Sequence, residues 1–279
     1  MNMKKGLIYS HQAWTDTINL ISLACYYSKK YDLVKMTVID KMFENVNFVT
    51  KNFPNVELLV IPESDHDLEK QGKKSLFDIW AEHGIDKEEY DLLIHGWSDW
   101  YRPDGDKYKS IYPKKWLTDH PIKGLYTHYD IDFMEKIESF KIERDHETED
   151  RLYRDFIEKI GTDDYILCHS DPERNFGIQL QIHNWNSSKK YINMHGLASN
   201  IFHTIKILEM SKEIHVVDSV WAAFCYLLDA KYEIFKDKPI YLHPFTNRFG
   251  GLILANTVRN QRLEPIDLSN WSIIYPPQR

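Results

Sequence analysis

Short apolar runs of strand type alternate with longer helical patterns along this chain, and no other feature constrains its fold as strongly. GLIYS (6–10) reads as a strand and DTINLISLACYYSKKY (16–31) as an amphipathic helix. VKMTVID (34–40) is a strand, MFENVNFVTKNF (42–53) a helix and VELLVIP (56–62) a strand. SLFDIWAEHG (75–84) then makes a helix ending on Gly, and YDLLIHGW (90–97) a strand. Strands joined in turn by helices predict a parallel sheet covered on both faces. From Ser98 to about Leu125 the pattern fails. WSDWYRPDGDKYKSIYPKKW is rich in aromatics, charge, Pro and Gly, and reads as a long loop.

HETEDRLYRDFIEKIG (146–161), with acids early and Gly at its end, is a polar helix leading into a second half. There DYILCHS (164–170), the extended run FGIQLQIH (176–183), and KYINMHG (190–196) precede a helix at NIFHTIKILEMS (200–211). IHVVDS (214–219) is a strand and VWAAFCYLLDA (220–230) a helix. YEIFKDKPIYLHP (232–244) supplies a further strand or two, and GLILANTVRNQR (251–262) a late helix. The halves match in architecture, not as a sequence repeat. The expected fold is α/β, with two Rossmann-like domains facing each other across a cleft. Their bounds are 1–145 and 146–262, with a tail at 263–279 packing back on the first domain.

The length of 279 residues fits two domains of roughly 130 each. No segment reaches the ~18–20 uninterrupted apolar residues of a membrane span. The start, MNMKKGLIYSHQ, has too short an apolar run for a signal peptide. Cys25, Cys168 and Cys225 lie far apart in apolar contexts and read as buried thiols in a reducing compartment. The expectation is a cytoplasmic protein without a membrane span. A net charge of −7 argues against a general nucleic-acid surface, because phosphate affinity needs clustered Lys and Arg. Eight Trp and 17 Tyr offer flat faces suited to sugars and nucleobases, although core packing is the commoner role for any single one of them.

Four stretches carry polar groups at strand ends. In IHVVDSVWAAF, Asp218 and Ser219 open the helix from Val220. They serve either as plain N-capping or as an anion site, where unpaired N–H groups and the helix dipole hold a phosphate. In CHSDPERNFG (168–177), His169 and Arg174 stand past a strand's carboxyl end, and Arg174 either grips a diphosphate or pairs with Glu173 in a solvated loop. In YSHQAWTDTINL (9–20), Asp16 and His11 compete as a base able to deprotonate a hydroxyl, while Asp16 with Thr17 is also a good helix start. In MHGLASN, His195 and Gly196 either frame a base or sugar or decorate the surface.

Taken together, these stretches resemble glycosyltransferases of the two-Rossmann GT-B architecture, most nearly the heptosyltransferase-like bacterial or phage sugar transferases. Three positions carry the resemblance: Asp16-Thr17-Ile18 opening the first helix, Arg174 after YILCHSDPE, and the IHVVDS strand entering a small-residue helix. Thr15 stands where the family usually has a glycine before the Asp. The resemblance implies an inverting, metal-independent transfer of a sugar from a nucleotide-diphosphate donor to an acceptor hydroxyl, with no cofactor required. Asp16 would be the base, with His11 its competitor. His169, Arg174, His195, Gly196, Asp218, Ser219 and Val220 would bind the donor, and the aromatic loop at Trp97, Trp100 and Tyr101 the carbohydrate or other hydroxyl acceptor.

Other chemistries find less support. Asp104-Gly105-Asp106 and Asp130-Ile131-Asp132 have the Asp-x-Asp form of a metal-dependent transferase, but neither follows a convincing apolar strand. A glycine-rich dinucleotide fingerprint, a Walker loop and a G-x-S-x-G elbow are all absent from the sequence. A nucleotide-sugar 2-epimerase and a non-catalytic nucleotide- or glycan-binding module share the same anion site and stay open. So does a phage enzyme glycosylating modified DNA bases, which the net charge disfavours although KYKSIYPKKW (107–116) interleaves four lysines with aromatics.

Overall fold

The computed structural model describes residues 3–10, 14–95, 126, 129–170, 188–217, 219–243 and 269–274, with the backbone alone at 14–16, 70, 76–77, 87 and 95. Among these the chain forms two compact units that meet in sequence between Glu143 and Arg144.

The first unit is built on β1 (Lys5–Tyr9), β2 (Leu33–Ile39), β3 (Val56–Ile61) and β4 (Leu92–His95), in the order β3-β2-β1-β4. Every pair is parallel. Leu7, Ile8, Val34, Met36 and Val38 have no solvent exposure, as expected for strands covered on both faces. Helix α1 (Trp14–Tyr27) packs against α2 (Phe43–Thr50) and the short α5 (Glu135–Glu138), and is buried all round from Thr17 to Cys25. The α4 helix (Leu76–Glu82) starts on a capping box, in which Ser75 Oγ accepts from the Asp78 N–H and Asp78 accepts from the Ser75 N–H.

One helix in this unit has no apolar signature in the sequence. The segment ESDHDLEK forms α3 (Glu63–Lys70). Its Asp65 accepts from Lys74 Nζ at 2.7 Å and pairs with His83 Nε2 at 2.9 Å, which ties α3 to the end of α4. Those two partners hold the Asp65 carboxyl below its usual range.

The second unit opens with α6 (His146–Ile160), capped by the Asp145 side chain and closed by Gly161 at φ 75°, a left-handed position that glycine adopts without a Cβ penalty. Arg144 bonds Glu149, which is fully buried, and reaches Glu209 at 2.9 Å on α7 (Ile205–Met210). The sheet comprises β5 (Tyr165–Cys168), β6 (Lys190–Asn193), β7 (Glu213–Val217), β8 (Ile240–His243) and β9 (Trp271–Ile273). It is again wholly parallel, in the order β6-β5-β7-β8-β9. Helix α8 (Val220–Tyr232) is buried from Trp221 to Asp229, with Ala222, Ala223 and Cys225 letting it approach its neighbours closely.

One expectation is corrected here. The strand anticipated from Tyr232 starts only at Ile240, because α8 runs on to Tyr232 and Glu233, at φ 52°, ends it in a left-handed cap. Residues 271–273, in the tail, join the second sheet as β9. The buried Asp229 on α8 explains why: its carboxylate accepts from Trp271 Nε1 at 2.8 Å and Asn270 Nδ2 at 3.2 Å, and from the Phe235 N–H at 3.1 Å. A buried carboxylate is costly without such donors, and the tail supplies two of them. The runs expected at 176–183 and 251–262 lie outside the described residues. No helix among the described residues is long and apolar enough to cross a membrane.

A histidine pair is buried within this sheet. His215 Nδ1 and His243 Nε2 lie 3.0 Å apart, and His215 stacks on Tyr241 with ring centroids 4.6 Å apart. Burial holds both below the usual imidazole range, His243 at about 3. An unfolded histidine titrates near ~6.5, so between that value and about 3 the unfolded chain binds a proton that folded His243 refuses. Stability should therefore fall as pH is lowered through this window. From about pH 7 to about pH 5, where carboxylates stay largely ionised, His243 contributes a slope approaching ~1.4 kcal/mol per pH unit. Urea unfolding across that range should show the loss, and His243→Gln, which keeps a hydrogen-bonding group but cannot titrate, should flatten the slope.

Candidate functional site

In the second sheet β5 is followed by β6 on one side, while β7, on its other side, is followed by β8. The carboxyl ends of β5 and β7 thus flank a topological switch point, the place where open α/β sheets receive ligands. The residues just past those two ends are His169 and, beyond Asp218, Ser219.

They meet there. Ser219 Oγ lies 3.0 Å from His169 Nδ1, although fifty residues separate the two in sequence. Ser219, in extended conformation, is also the N-cap of α8, accepting from the Trp221 N–H at 3.2 Å. The His169 N–H donates to the His215 carbonyl at 2.8 Å, which fixes the histidine backbone against β7. His169 is 8% exposed, and its ring sits 6.4 Å from the Trp221 ring. So capping and site formation at Ser219 are compatible: one Oγ accepts from the helix and still carries a hydrogen to share with a histidine or a ligand.

The electrostatics of this edge narrow its chemistry. His215 and His243 are kept neutral by burial, so neither brings positive charge at neutral pH. Burial pushes the Cys168 thiol up to about 12, which leaves it protonated and a poor nucleophile or metal ligand. Among the described residues no three His, Cys, Asp or Glu side chains converge as metal ligands. What remains is the N-terminus of α8, a thirteen-residue helix whose dipole places about half a positive charge there. Its first-turn N–H groups lack intrahelical acceptors, and an anion supplies them.

The other residues singled out in the sequence divide three ways. Val220 is the first residue of α8, directly after Ser219. His195 and Gly196 follow β6 on the same sheet edge, one strand away from the switch point. There the His195 N–H donates to Asn193 Oδ1 at 3.0 Å, and Gly196 turns the chain at φ 74°. Asp16 lies in the first turn of α1, its side chain undescribed. His11, Trp97, Trp100, Tyr101, Arg174 and Asp218 lie outside the described residues.

Sequence reasoning missed a group of hydroxyls in the first unit. The Ser10 N–H donates to Thr37 Oγ1 at 2.8 Å, Thr37 Oγ1 donates back to the Ser10 carbonyl at 3.2 Å, and Ser10 Oγ lies 3.0 Å from Thr17 Oγ1. Their signal, in retrospect, is a hydroxyl residue inside the apolar run of β2, Thr37, together with one just past β1, Ser10, and one in the first turns of α1, Thr17.

No protein-family model and no curated protein sequence matches the chain. Among solved structures it is similar to the glycosyl transferase family 9 protein from Veillonella parvula DSM 2008. The TM-score is 0.53 at 10% identity, covering 100% of this chain and 89% of that one. It is also similar to E. coli ADP-heptose lps heptosyltransferase II, with a TM-score of 0.47 at 10% identity over 98% of this chain and 90% of that one. The first likeness is one of fold; the second is too loose to bear on it.

Ser219→Gly separates the two duties of this residue, because Gly caps a helix to within a few tenths of a kcal/mol of Ser but has no hydroxyl. Thermal unfolding should change little, whereas the affinity for inorganic pyrophosphate, measured by calorimetry, should fall about tenfold or more. Unchanged affinity would assign the hydroxyl to the helix alone.

Proposed function

We propose that the chain is a glycosyltransferase of GT-B type that moves a sugar from a nucleotide-diphosphate donor to an acceptor hydroxyl, with inversion and without a metal. The observation that carries this reading is the His169–Ser219 bond at the switch point of the second sheet, set on the N-terminus of α8. A fold similar to that of a family 9 glycosyl transferase supports it.

In this reading the donor diphosphate lies on the α8 terminus, with Ser219, the Val220 N–H, His169 and Arg174 as its partners and Asp218 orienting the junction. His195 and Gly196, on the same edge, border the donor's base or sugar. The acceptor enters along Trp97, Trp100 and Tyr101. Asp16 takes the proton of the acceptor hydroxyl as its oxygen bonds to the anomeric carbon. The bond from that carbon to the phosphate oxygen breaks, and the nucleoside diphosphate leaves with the electron pair. Its developing charge is stabilised by the helix terminus and by donors already fixed in place, so a metal is not needed.

The deciding experiment is thermal unfolding with UDP, GDP, ADP, CMP and dTDP in turn, each with and without EDTA. A ligand at about 100 times its Kd adds ~2.7 kcal/mol to stability. One diphosphate should raise the melting temperature, equally with EDTA present, and Asp16→Asn should keep that shift while losing sugar transfer. A shift that EDTA removes would make the enzyme metal-dependent. No shift with any of them would overturn the nucleotide-sugar reading, and transfer retained by Asp16→Asn would pass the role of base to His11.

A further inference from the structure

The hydroxyl group of the first unit sits at the entrance to α1. Ser10 is 2% exposed, Thr17 1% and Thr37 not at all, so each hydroxyl is buried and destabilising unless bonded. Thr37 Oγ1 accepts from the Ser10 N–H and donates to the Ser10 carbonyl, which holds both polar groups of the residue where β1 ends. Thr17 Oγ1 lies 3.5 Å from Met42 Sδ and 3.0 Å from Ser10 Oγ, within hydrogen-bonding reach of both. The Ser10–Thr17 bond thereby closes the β1–α1 connection from one end to the other. Between its two ends stand residues 11 to 16, which include both candidates for the base, His11 and Asp16.

Apolar side chains of similar size fill the neighbouring positions of β1 and β2, so the space itself does not call for hydroxyls. A directed bond fixes a distance and an angle, which a methyl group does not. Thr17 also adjoins Asp16 in the first turn of α1, so whatever holds Thr17 holds the backbone of Asp16.

We infer that Ser10 and Thr17, anchored to the sheet through Thr37, are positioning residues that hold the first turn of α1 and with it the base of the reaction. This rests on the reading of Asp16 as that base. A base displaced by about 1 Å loses rate out of proportion to any loss of binding, so the staple acts on kcat.

The test compares Thr17→Val, which keeps shape and loses the hydroxyl, with Thr17→Ser, Ser10→Ala and Asp16→Asn. Thr17→Val should lower kcat about tenfold or more while leaving the donor KM within about twofold, and Thr17→Ser should restore most of the rate. Ser10→Ala removes the same bond from its other end and should reproduce the Thr17→Val profile, which also serves if Thr17→Val folds poorly. Hydrogen exchange at the Ile18, Asn19 and Leu20 amides, whose helical acceptors are the carbonyls of residues 14–16, should quicken in both. If Asp16→Asn abolishes transfer but Thr17→Val and Ser10→Ala turn over normally, the staple has no positioning role and the inference falls while the base stands. If Asp16→Asn keeps its rate, the base is misassigned; the exchange data then judge the staple alone, and unchanged exchange overturns it.

Discussion

Parallel pairing carries the carboxyl end of every strand to one edge of its sheet, and the polar chemistry of both units depends on that constraint. A residue placed one or two positions past a strand joins, on that edge, residues that are distant in sequence. The His169–Ser219 bond has this origin: β5 and β7 are neighbours although a whole strand and α7 lie between them in the chain. Antiparallel pairing would have sent the two ends to opposite edges.

The same pairing demands cover on both faces of each sheet, and one helix in each unit meets that demand in the same way. Both α1 and α8 are apolar round most of their circumference and are buried along most of their length. A helix so enclosed cannot shift as a body without opening the core. That rigidity suits a site built on a helix terminus, since donors aimed in advance need not reorganise when charge develops. The buried His215–His243 pair, held neutral, adds no positive charge of its own to the second sheet at neutral pH.

Much of this was legible in the sequence, for reasons that individual residues make clear. The apolar runs at β1, β2, β5 and β7 could be read because a strand buried on both faces has little room for polar side chains. Gly161 and Ser75 could be read because helix ends need particular residues. The α3 helix was invisible because Asp65 meets Lys74 and His83 across space, and periodicity reports only what a helix buries. The β9 strand was missed because three residues are too few for a pattern. Yet Asp229, an acid on a helix otherwise apolar, already required donors from somewhere, and Trp271 and Asn270 supply them. In the candidate site, Ser219 at a helix start was legible as a cap or an anion ligand. Its bond to His169 was not, because it needs the strand order, and residues three and four apart carry no information on that.

The two hydroxyl contacts, at 3.0 Å each, act on different scales. Ser10 Oγ to Thr17 Oγ1 spans a single strand–helix connection, so it fixes a local geometry and would survive changes elsewhere in the sheet. His169 Nδ1 to Ser219 Oγ joins two connections across the switch point, so the cap of α8 is set partly by the end of β5. In the proposed reading the Ser219 hydroxyl donates to a phosphate oxygen of the donor, and a bond to such an ionised acceptor is roughly twice as strong as one between neutral groups.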